Sequence, residues 1–227
     1  MGYNWDYLDK NGYNNEIGFY KFRRQFGFIV NEGYSKFENI LDIAGGSGRF
    51  ALPLRSYSDN ITVVDINSTA TEILKQRDNK IEIINADFNQ LEINKLFSLV
   101  VCIEGLGYFS DWDDFFSKIN SLLTEDGRFI FTVVNPLSWR YFIRKLKHIK
   151  RKSTYYTDSR YTLPDLKALL LKHNFELVSI EGMYWIPLPV TSDSKLVLVF
   201  EFIEKVFRLR KWVSQSPWLL LSVKKKH

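Results

Sequence analysis

The chain is short of several residue types, and each shortage excludes a class of protein. Among its 227 residues there is one cysteine, Cys102, so no disulfide and no cysteine-based metal site can form within the chain. This favours a reducing cytosol as its compartment. No apolar run approaches the roughly 20 residues that cross a bilayer, and no apolar amino-terminal segment has a basic flank. The sequence therefore predicts a chain without a membrane span or a secretion signal.

What is present is an alternation of strand-like and helix-like segments, with no internal repeat. With 45% hydrophobic residues, the chain can bury a full core and predicts one domain with additions. Helix-like runs separate the strand-like ones, which indicates a parallel sheet covered on both faces. We therefore predict an α/β fold with a seven-stranded, mostly parallel sheet. The expected strands lie near 39–44, 61–66, 81–86, 98–103, 128–134, 175–181 and 218–223.

Residues 40–50 are the most informative segment, because a short apolar strand runs directly into a glycine-rich turn and an apolar-periodic helix. Gly45, Gly46 and Gly48 let the backbone turn tightly and approach a ligand, while the helix that follows offers free N–H groups. Asp42 precedes the turn, where a carboxylate repels a pyrophosphate but can hold an amino or hydroxyl group. The segment predicts a loop that cradles a nucleotide or nucleoside.

Two more acids end the next two strand-like runs. Asp65 follows the second run and is placed to accept hydrogen bonds from both hydroxyls of a ribose. Asp87 follows the third run. Each acid has an alternative role as the cap of the helix after its strand. Acids at three successive strand ends favour nucleoside binding.

The segment 42–48 reads Asp-Ile-Ala-Gly-Gly-Ser-Gly, and its spacing resembles the Asp-x-Gly-x-Gly-x-Gly signature of class I S-adenosylmethionine-dependent methyltransferases. The resemblance extends over most of the chain. Ala44 departs from the signature, since it stands where the first glycine usually is, and the turn must tolerate its methyl group. Residues 46–51 also satisfy the dinucleotide pattern G-x-G-x-x-G/A, so a nicotinamide-dependent oxidoreductase is a rival hypothesis.

The resemblance implies a Rossmann-like fold with an added substrate cap, S-adenosyl-L-methionine as cofactor, and roles for residues at the strand ends. Asp87 stands where such enzymes commonly contact the adenine amino group, and Phe88 beside it can cover the ring. Glu104 and Gly105, after the fourth strand, are expected to line the methionine part of the cofactor, mostly through backbone groups. The cofactor-binding set is Asp42, Ala44, Gly45, Gly46, Gly48, Asp65, Ile66, Asp87, Phe88, Glu104 and Gly105.

Methyl transfer from a sulfonium needs little from the protein beyond alignment of the acceptor and exclusion of water. An oxygen acceptor also needs a base, and family members often place a histidine near the position of Tyr108. Tyr108 would face the transferable methyl group, or else be a half-buried aromatic residue that covers the following helix. The catalytic candidates are Tyr108 and His148, and no metal site is predicted.

Four segments are predicted along the chain. They are an aromatic-rich helical lid (1–37), the cofactor-binding core (38–136), a basic cap insertion (137–160), and the rest of the core with an apolar helical cap at 185–213 (161–227). The basic stretch 139–152 carries seven positive charges and no acids, against a net charge of +5 for the whole chain. A solvated face, a phosphorylated substrate, an anionic membrane and nucleic acid are the alternatives for it. Nucleic acid is least favoured, because no RNA-binding module is recognisable.

The late helix, 195–213, has one narrow polar face and a broad apolar one, so we expect it to bury much of its circumference. The sheet, a second copy of the chain, a lipid-like substrate and a membrane are the alternatives for what covers it. The late region resembles the caps of small-molecule methyltransferases related to those of quinone biosynthesis.

These observations predict a cytoplasmic S-adenosylmethionine-dependent methyltransferase acting on a small, amphiphilic or phosphorylated acceptor. Peripheral membrane contact and a homodimer are alternatives for its associations. The competing functions are an RNA methyltransferase, a nicotinamide-dependent oxidoreductase and a non-catalytic cofactor-binding protein.

Overall fold

The computed structural model describes residues 14–31, 36–146 and 161–226, with the backbone alone at 144–146. Seven strands form one sheet in the order β3-β2-β1-β4-β5-β7-β6. Strand β7 is antiparallel to both neighbours, and the other pairs are parallel. The predicted seven-stranded, mostly parallel sheet is confirmed. The strands are β1 Ile40–Ile43, β2 Ile61–Asp65, β3 Glu82–Asn85, β4 Phe97–Cys102, β5 Leu123–Val134, β6 Phe175–Met183 and β7 Trp218–Lys225.

Strand β5 starts earlier than the apolar pattern indicates. Its first residue, Leu123, pairs with Phe97, and the register then shifts so that Arg128 pairs with Leu99. Asp126-Gly127, a pair that in the sequence predicts a turn back into the sheet, is therefore an irregularity inside the strand, because extra residues there are accommodated as a bulge.

The helices begin largely where side-chain caps predict. Asp111 accepts a hydrogen bond from the backbone N–H of Asp114, and Thr162 forms a reciprocal capping box with Asp165. The helices are α1 Glu16–Val30, α2 Ala51–Leu54, α3 Ser68–Arg77, α4 Trp112–Leu122, α5 Trp139–Leu146, α6 Leu163–Lys172 and α7 Leu196–Val206. Short 3₁₀ turns occupy Phe88–Gln90, Leu106–Tyr108 and Leu209–Lys211. None of the helices in the described ranges has both the length and the apolarity to cross a membrane.

Both faces of the sheet are buried, which is why its strands read as continuous apolar runs. Alternate residues of one strand serve opposite sides, since Leu41 and Ile43 join one core cluster and Ile40 joins the other. Helices α4 and α6 cover the first face, and α1 and α2 contribute to the second. All parallel strands end at the same edge of the sheet, so this packing brings the predicted site residues together there.

Helix α7 departs in part from the sequence-based expectation. Its polar residue Glu204 is only 3% exposed, whereas Phe202 is 66% exposed. The cause is α1: Glu201 pairs with Arg23, and Glu204 accepts a hydrogen bond from the Tyr20 hydroxyl. The expected burial of the apolar residues holds only in part: Val197 is buried and Phe200 packs against the core, whereas α7 turns its carboxylates towards α1 and leaves other apolar side chains exposed.

Candidate active site

The glycine-rich loop follows β1 at the carboxyl edge of the sheet and is held by an acid of the neighbouring strand. The Gly46 backbone N–H donates to Asp65 Oδ2 at 2.8 Å, and the Asn67 N–H donates to Asp65 Oδ1 at 2.8 Å. Gly46 has φ of +56°, which explains a glycine there. Asp65 therefore fixes the loop against β2.

The surroundings of Asp65 suit a nucleoside. Each of its carboxylate oxygens accepts one backbone N–H and keeps a second lone pair, which is the capacity needed for two ribose hydroxyls. Burial raises the pKa of Asp65, and the N–H groups of Asn67 and Gly46 oppose this. The next residue, Ile66, is 72% exposed and offers an apolar surface for a flat ring. The donor and acceptor set fits S-adenosylmethionine at this edge.

We expect Asp65→Ala to weaken the binding of S-adenosylhomocysteine by about 5- to 150-fold, or roughly 1 to 3 kcal/mol. The substitution removes the ribose acceptor and releases the Gly46 N–H. Isothermal titration calorimetry measures the change. Asp78→Ala is the control, because Asp78 pairs with Arg55 away from the loop. Equal affinities for wild type and folded Asp65→Ala would contradict the assignment.

Asp42 lies buried beneath the loop, against Gly45. It is fully buried, and its Oδ2 has no hydrogen-bond partner among the residues the structure describes. Desolvation and repulsion from Asp65 raise its pKa to about 8, partly opposed by the Ala51 backbone N–H. A Cβ placed on Gly45 would meet the Asp42 carboxyl at 2.8 Å. Asp42 thus supports the loop from below, and its contact with an amino or hydroxyl group of a ligand stays a prediction.

Two glycines of the predicted set are required by packing within the protein. A Cβ on Gly48 would lie 2.4 Å from Leu74 Cδ1. A Cβ on Gly105 would lie 2.8 Å from the Ala44 methyl group and 3.0 Å from Cys102 Sγ. Ala44 and Cys102 border the space of a Gly105 side chain, and the expected contact of the Gly105 backbone with the methionine part of the cofactor stays a prediction. Ala44 itself has φ of +56°, so Gly105 accommodates the methyl group at the non-standard position of the signature.

The end of β3 matches expectation in part. Asp87 accepts a hydrogen bond from the Asn89 N–H at 2.9 Å and so caps the 3₁₀ turn, while its contact with adenine stays a prediction. Phe88 is 3% exposed, and its ring packs against those of Phe109 and Phe115. The Phe88 ring is therefore not available to cover an adenine, because it belongs to the core.

Glu104, after β4, is the centre of a buried polar cluster. Its carboxylate lies 2.5 Å from Lys21 Nζ, accepts a hydrogen bond from Gln25 Nε2 at 2.7 Å, and lies 3.6 Å from Arg49 Nη1. Burial alone would raise the pKa of Glu104, but Lys21 and Arg49 outweigh it and hold the pKa below its ordinary value. An ionised Glu104 therefore ties α1 to the carboxyl edge of the sheet.

The partners of Glu104 were not predicted from the sequence. Lys21 and Gln25 are four residues apart on α1 and so share one helix face, a polar pair among aromatic residues that could have drawn notice. Arg49, within the loop, also donates to the Gly18 carbonyl at 3.0 Å. The described part of the predicted lid is thus fastened to the loop and to β4 by charged groups.

The two catalytic candidates have different outcomes. Tyr108 lies on the 3₁₀ turn after β4 and is 60% exposed, so the half-buried alternative does not describe it. Its position opposite a methyl group stays a prediction. His148 lies outside the described residues, as does most of the basic stretch.

Aromatic and cationic side chains meet at the same edge, beyond Glu104. Lys21 Nζ lies 5.6 Å from the centre of the Trp218 ring. The Arg140 guanidinium lies 4.3 Å from the centre of the Tyr184 ring and donates to the carbonyls of Ile186 and Leu188. Burial raises the pKa of Tyr184, against the attraction of Arg140. Arg140 thus connects the described start of the basic stretch to the aromatic residues at this edge of the sheet.

Curated relatives resemble part of the chain. A ubiquinone biosynthesis O-methyltransferase of Rickettsia akari is 29% identical over 109 residues, which are 46% of this chain and 43% of the relative. Nodulation protein S of Azorhizobium caulinodans is 30% identical over 98 residues, 41% of this chain and 47% of the relative. In both cases the match spans less than half the length of the relative.

Solved structures resemble nearly the whole chain. N-methyltransferase NodS from Bradyrhizobium japonicum WM9, in complex with S-adenosyl-L-homocysteine, has a TM-score of 0.64 and 15% identity, covering 94% of this chain and 90% of that one. Magnesium protoporphyrin IX methyltransferase from Synechocystis PCC 6803, with bound S-adenosylhomocysteine, has a TM-score of 0.67 and 16% identity, covering 98% and 93%. At these identities the likeness establishes the fold.

A family model described as a methyltransferase domain matches residues 15–180, which contain the glycine-rich loop, Asp65, Asp87 and the Glu104 cluster. The match favours methyl transfer over the nicotinamide alternative for the loop. The chain belongs to the methyltransferase-domain family, within the S-adenosylmethionine-dependent class I methyltransferases.

Proposed function

We propose that this protein transfers the methyl group of S-adenosylmethionine to a small acceptor with an apolar body and an acidic group. The observation that carries the proposal is the loop held by Asp65, with free acceptor capacity at the carboxyl edge of the sheet. The charged contacts of α1 with the loop and β4 add a cover over that edge.

Different residues of the chain would bind different parts of the cofactor. Asp65 would hold the ribose, Ile66 would flank the adenine ring, and Asp87 would accept from the adenine amino group. The backbone around Glu104 would line the methionine part. The bound cofactor supplies a methyl group already activated by the positive sulfonium. The protein then has to align the acceptor and exclude water. Helix α1 would exclude water by covering the carboxyl edge of the sheet.

The acceptor class follows from the side chains beyond Glu104. The Arg140 guanidinium lies beside the Tyr184 ring, a combination suited to a flat or apolar body bearing a carboxylate or phosphate, whereas the charge of Lys21 is already paired with Glu104. The relatives named as ubiquinone biosynthesis O-methyltransferases support an acceptor of mixed polarity. The side chains of 144–152 lie outside the described residues, so the argument for an anionic group rests on Arg140.

The direct test is transfer of a labelled methyl group. Purified protein is incubated with labelled S-adenosylmethionine and a metabolite extract separated into acidic and neutral fractions. We expect a labelled small product from the acidic, organic-soluble fraction, and less of it with Asp65→Ala at limiting cofactor. Mass spectrometry of the product identifies the acceptor atom.

Other outcomes point to the competing functions. Label in the neutral fraction alone would contradict the acidic acceptor while leaving methyl transfer intact. Label in RNA, with binding that weakens steeply as salt rises, would support the RNA methyltransferase. Cofactor binding without labelled product from any fraction would support the non-catalytic binding protein.

A further inference from the structure

Helix α7 presents an apolar surface to solvent. Leu198, Val199, Phe202 and Val206 are exposed along the helix, and Phe207 directly after it is exposed as well. These residues form the apolar α7 face. Large contiguous apolar patches are uncommon on soluble proteins and usually mark a contact with a partner or a membrane.

The two acids of α7 are withdrawn from this face. Glu201 pairs with Arg23, and Glu204 is buried against Tyr20 and Arg24 of α1. Their charges are therefore compensated within the protein. Carboxylates that are paired within the protein repel an anionic partner less than free carboxylates would. The helix surface is therefore compatible with a partner that carries both anionic and apolar groups.

Uncompensated cations border the apolar α7 face. Lys205 lies on the helix, and Arg208, Arg210 and Lys211 follow within two turns. None of these four forms an ion pair with another residue in the parts of the chain that the structure describes. A groove lined by Leu198, Phe202, Lys205 and Arg210 also includes Arg24 and the two ion-paired acids Glu201 and Glu204, so the unpaired cations and the apolar groups share one surface with compensated charges. Trp212, half exposed, adds an aromatic ring at the same end.

We propose that the apolar α7 face and its bordering cations bind the surface of an anionic lipid bilayer. An interfacial helix combines an exposed apolar face with lysine, arginine and aromatic residues, and each of these features is present. A second copy of the chain fits less well, since a two-fold contact would bring the same cations against one another. Membrane binding of this kind does not depend on the acceptor proposed above.

Vesicle sedimentation tests the proposal with the full chain. Wild type is mixed with vesicles of phosphatidylcholine alone, or of equal parts phosphatidylcholine and phosphatidylglycerol. We expect retention on the anionic vesicles and little on the neutral ones. The double variant Phe202→Asp, Val206→Asp should bind the anionic vesicles at least about tenfold more weakly, because two exposed apolar groups are lost and two anions gained.

Matched variants separate the contributions. Leu171→Asp alters an exposed leucine on α6 and should leave vesicle binding unchanged. Lys205→Gln with Lys211→Gln should weaken binding by about fivefold for each charge and reduce its sensitivity to salt, whereas Lys167→Gln on α6 should not. Affinity for S-adenosylhomocysteine, which should be the same in all these variants, verifies that they are folded and keeps this test separate from that of the catalytic proposal.

Three results would overturn the proposal. The first is binding to anionic vesicles that Phe202→Asp, Val206→Asp leaves intact. The second is a wild-type protein that ignores vesicles but forms a dimer which the same variant dissociates, since the face would then belong to a second copy. The third is a monomer that binds neither kind of vesicle.

Discussion

Gly46→Val is expected to reduce affinity for S-adenosylhomocysteine by at least about 100-fold while the sheet stays folded. Gly46 has φ of +56°, a region that a β-branched residue adopts only with strain, and its N–H is committed to Asp65. A valine side chain is also expected to enter the space that the cofactor requires. Calorimetry measures the affinity, and circular dichroism measures the fold.

Gly46→Ala is the informative control. Ala44 already has φ of +56°, so the chain tolerates an alanine in this conformation two residues earlier in the same loop. We therefore expect the alanine variant to keep measurable binding and the valine variant to lose it. If both variants bind as tightly as wild type, the cofactor does not lie against this loop.

The second large effect concerns the dependence of stability on pH. Burial and Asp65 raise the pKa of Asp42 from 3.8 to about 8. Between about pH 4 and pH 8 the unfolded state has lost a proton that the folded state keeps, so this group lowers stability as pH rises. The slope is about −1.4 kcal/mol per pH unit, and it vanishes above the folded pKa because both states are then ionised.

Asp42→Asn removes that titration. We expect the free energy of unfolding, measured in urea at several pH values, to fall less steeply with pH in the variant than in wild type, and the variant to be the more stable protein above pH 8. Asp59→Asn, the same substitution at an exposed aspartate, is the control and should keep the wild-type pH dependence near neutrality. A variant that follows the wild-type pH profile would show that Asp42 is ionised in the folded protein at neutral pH.

Much of the fold was predictable because local chemistry and tertiary structure agree. Most strands are buried on both faces and so appear in the sequence as apolar runs. Asp111 and Thr162 cap the helices whose starts their side chains predict. Asp65 was predictable as a site residue because parallel strands end at one edge.

The errors arise where a side chain depends on a distant partner. The partners of Glu104 on α1 lie far from it in sequence, and no local pattern relates them. The orientation of α7 depends on Tyr20 and Arg24, which make burial of Glu204 tolerable. Phe88 follows an acid at a strand end, yet hydrophobic packing directs its ring into the core.

Ala44 in the loop and Gly105 at the end of β4 constrain each other sterically. A Cβ on Gly105 would lie 2.8 Å from the Ala44 methyl group, so a larger residue at 105 has to displace the loop that holds Ala44. Glycine at 44 would remove that contact, while the Cys102 sulfur, 3.0 Å away, would still limit the space at 105. The departure from the signature therefore adds a steric constraint at the end of β4 that the signature glycine would not impose.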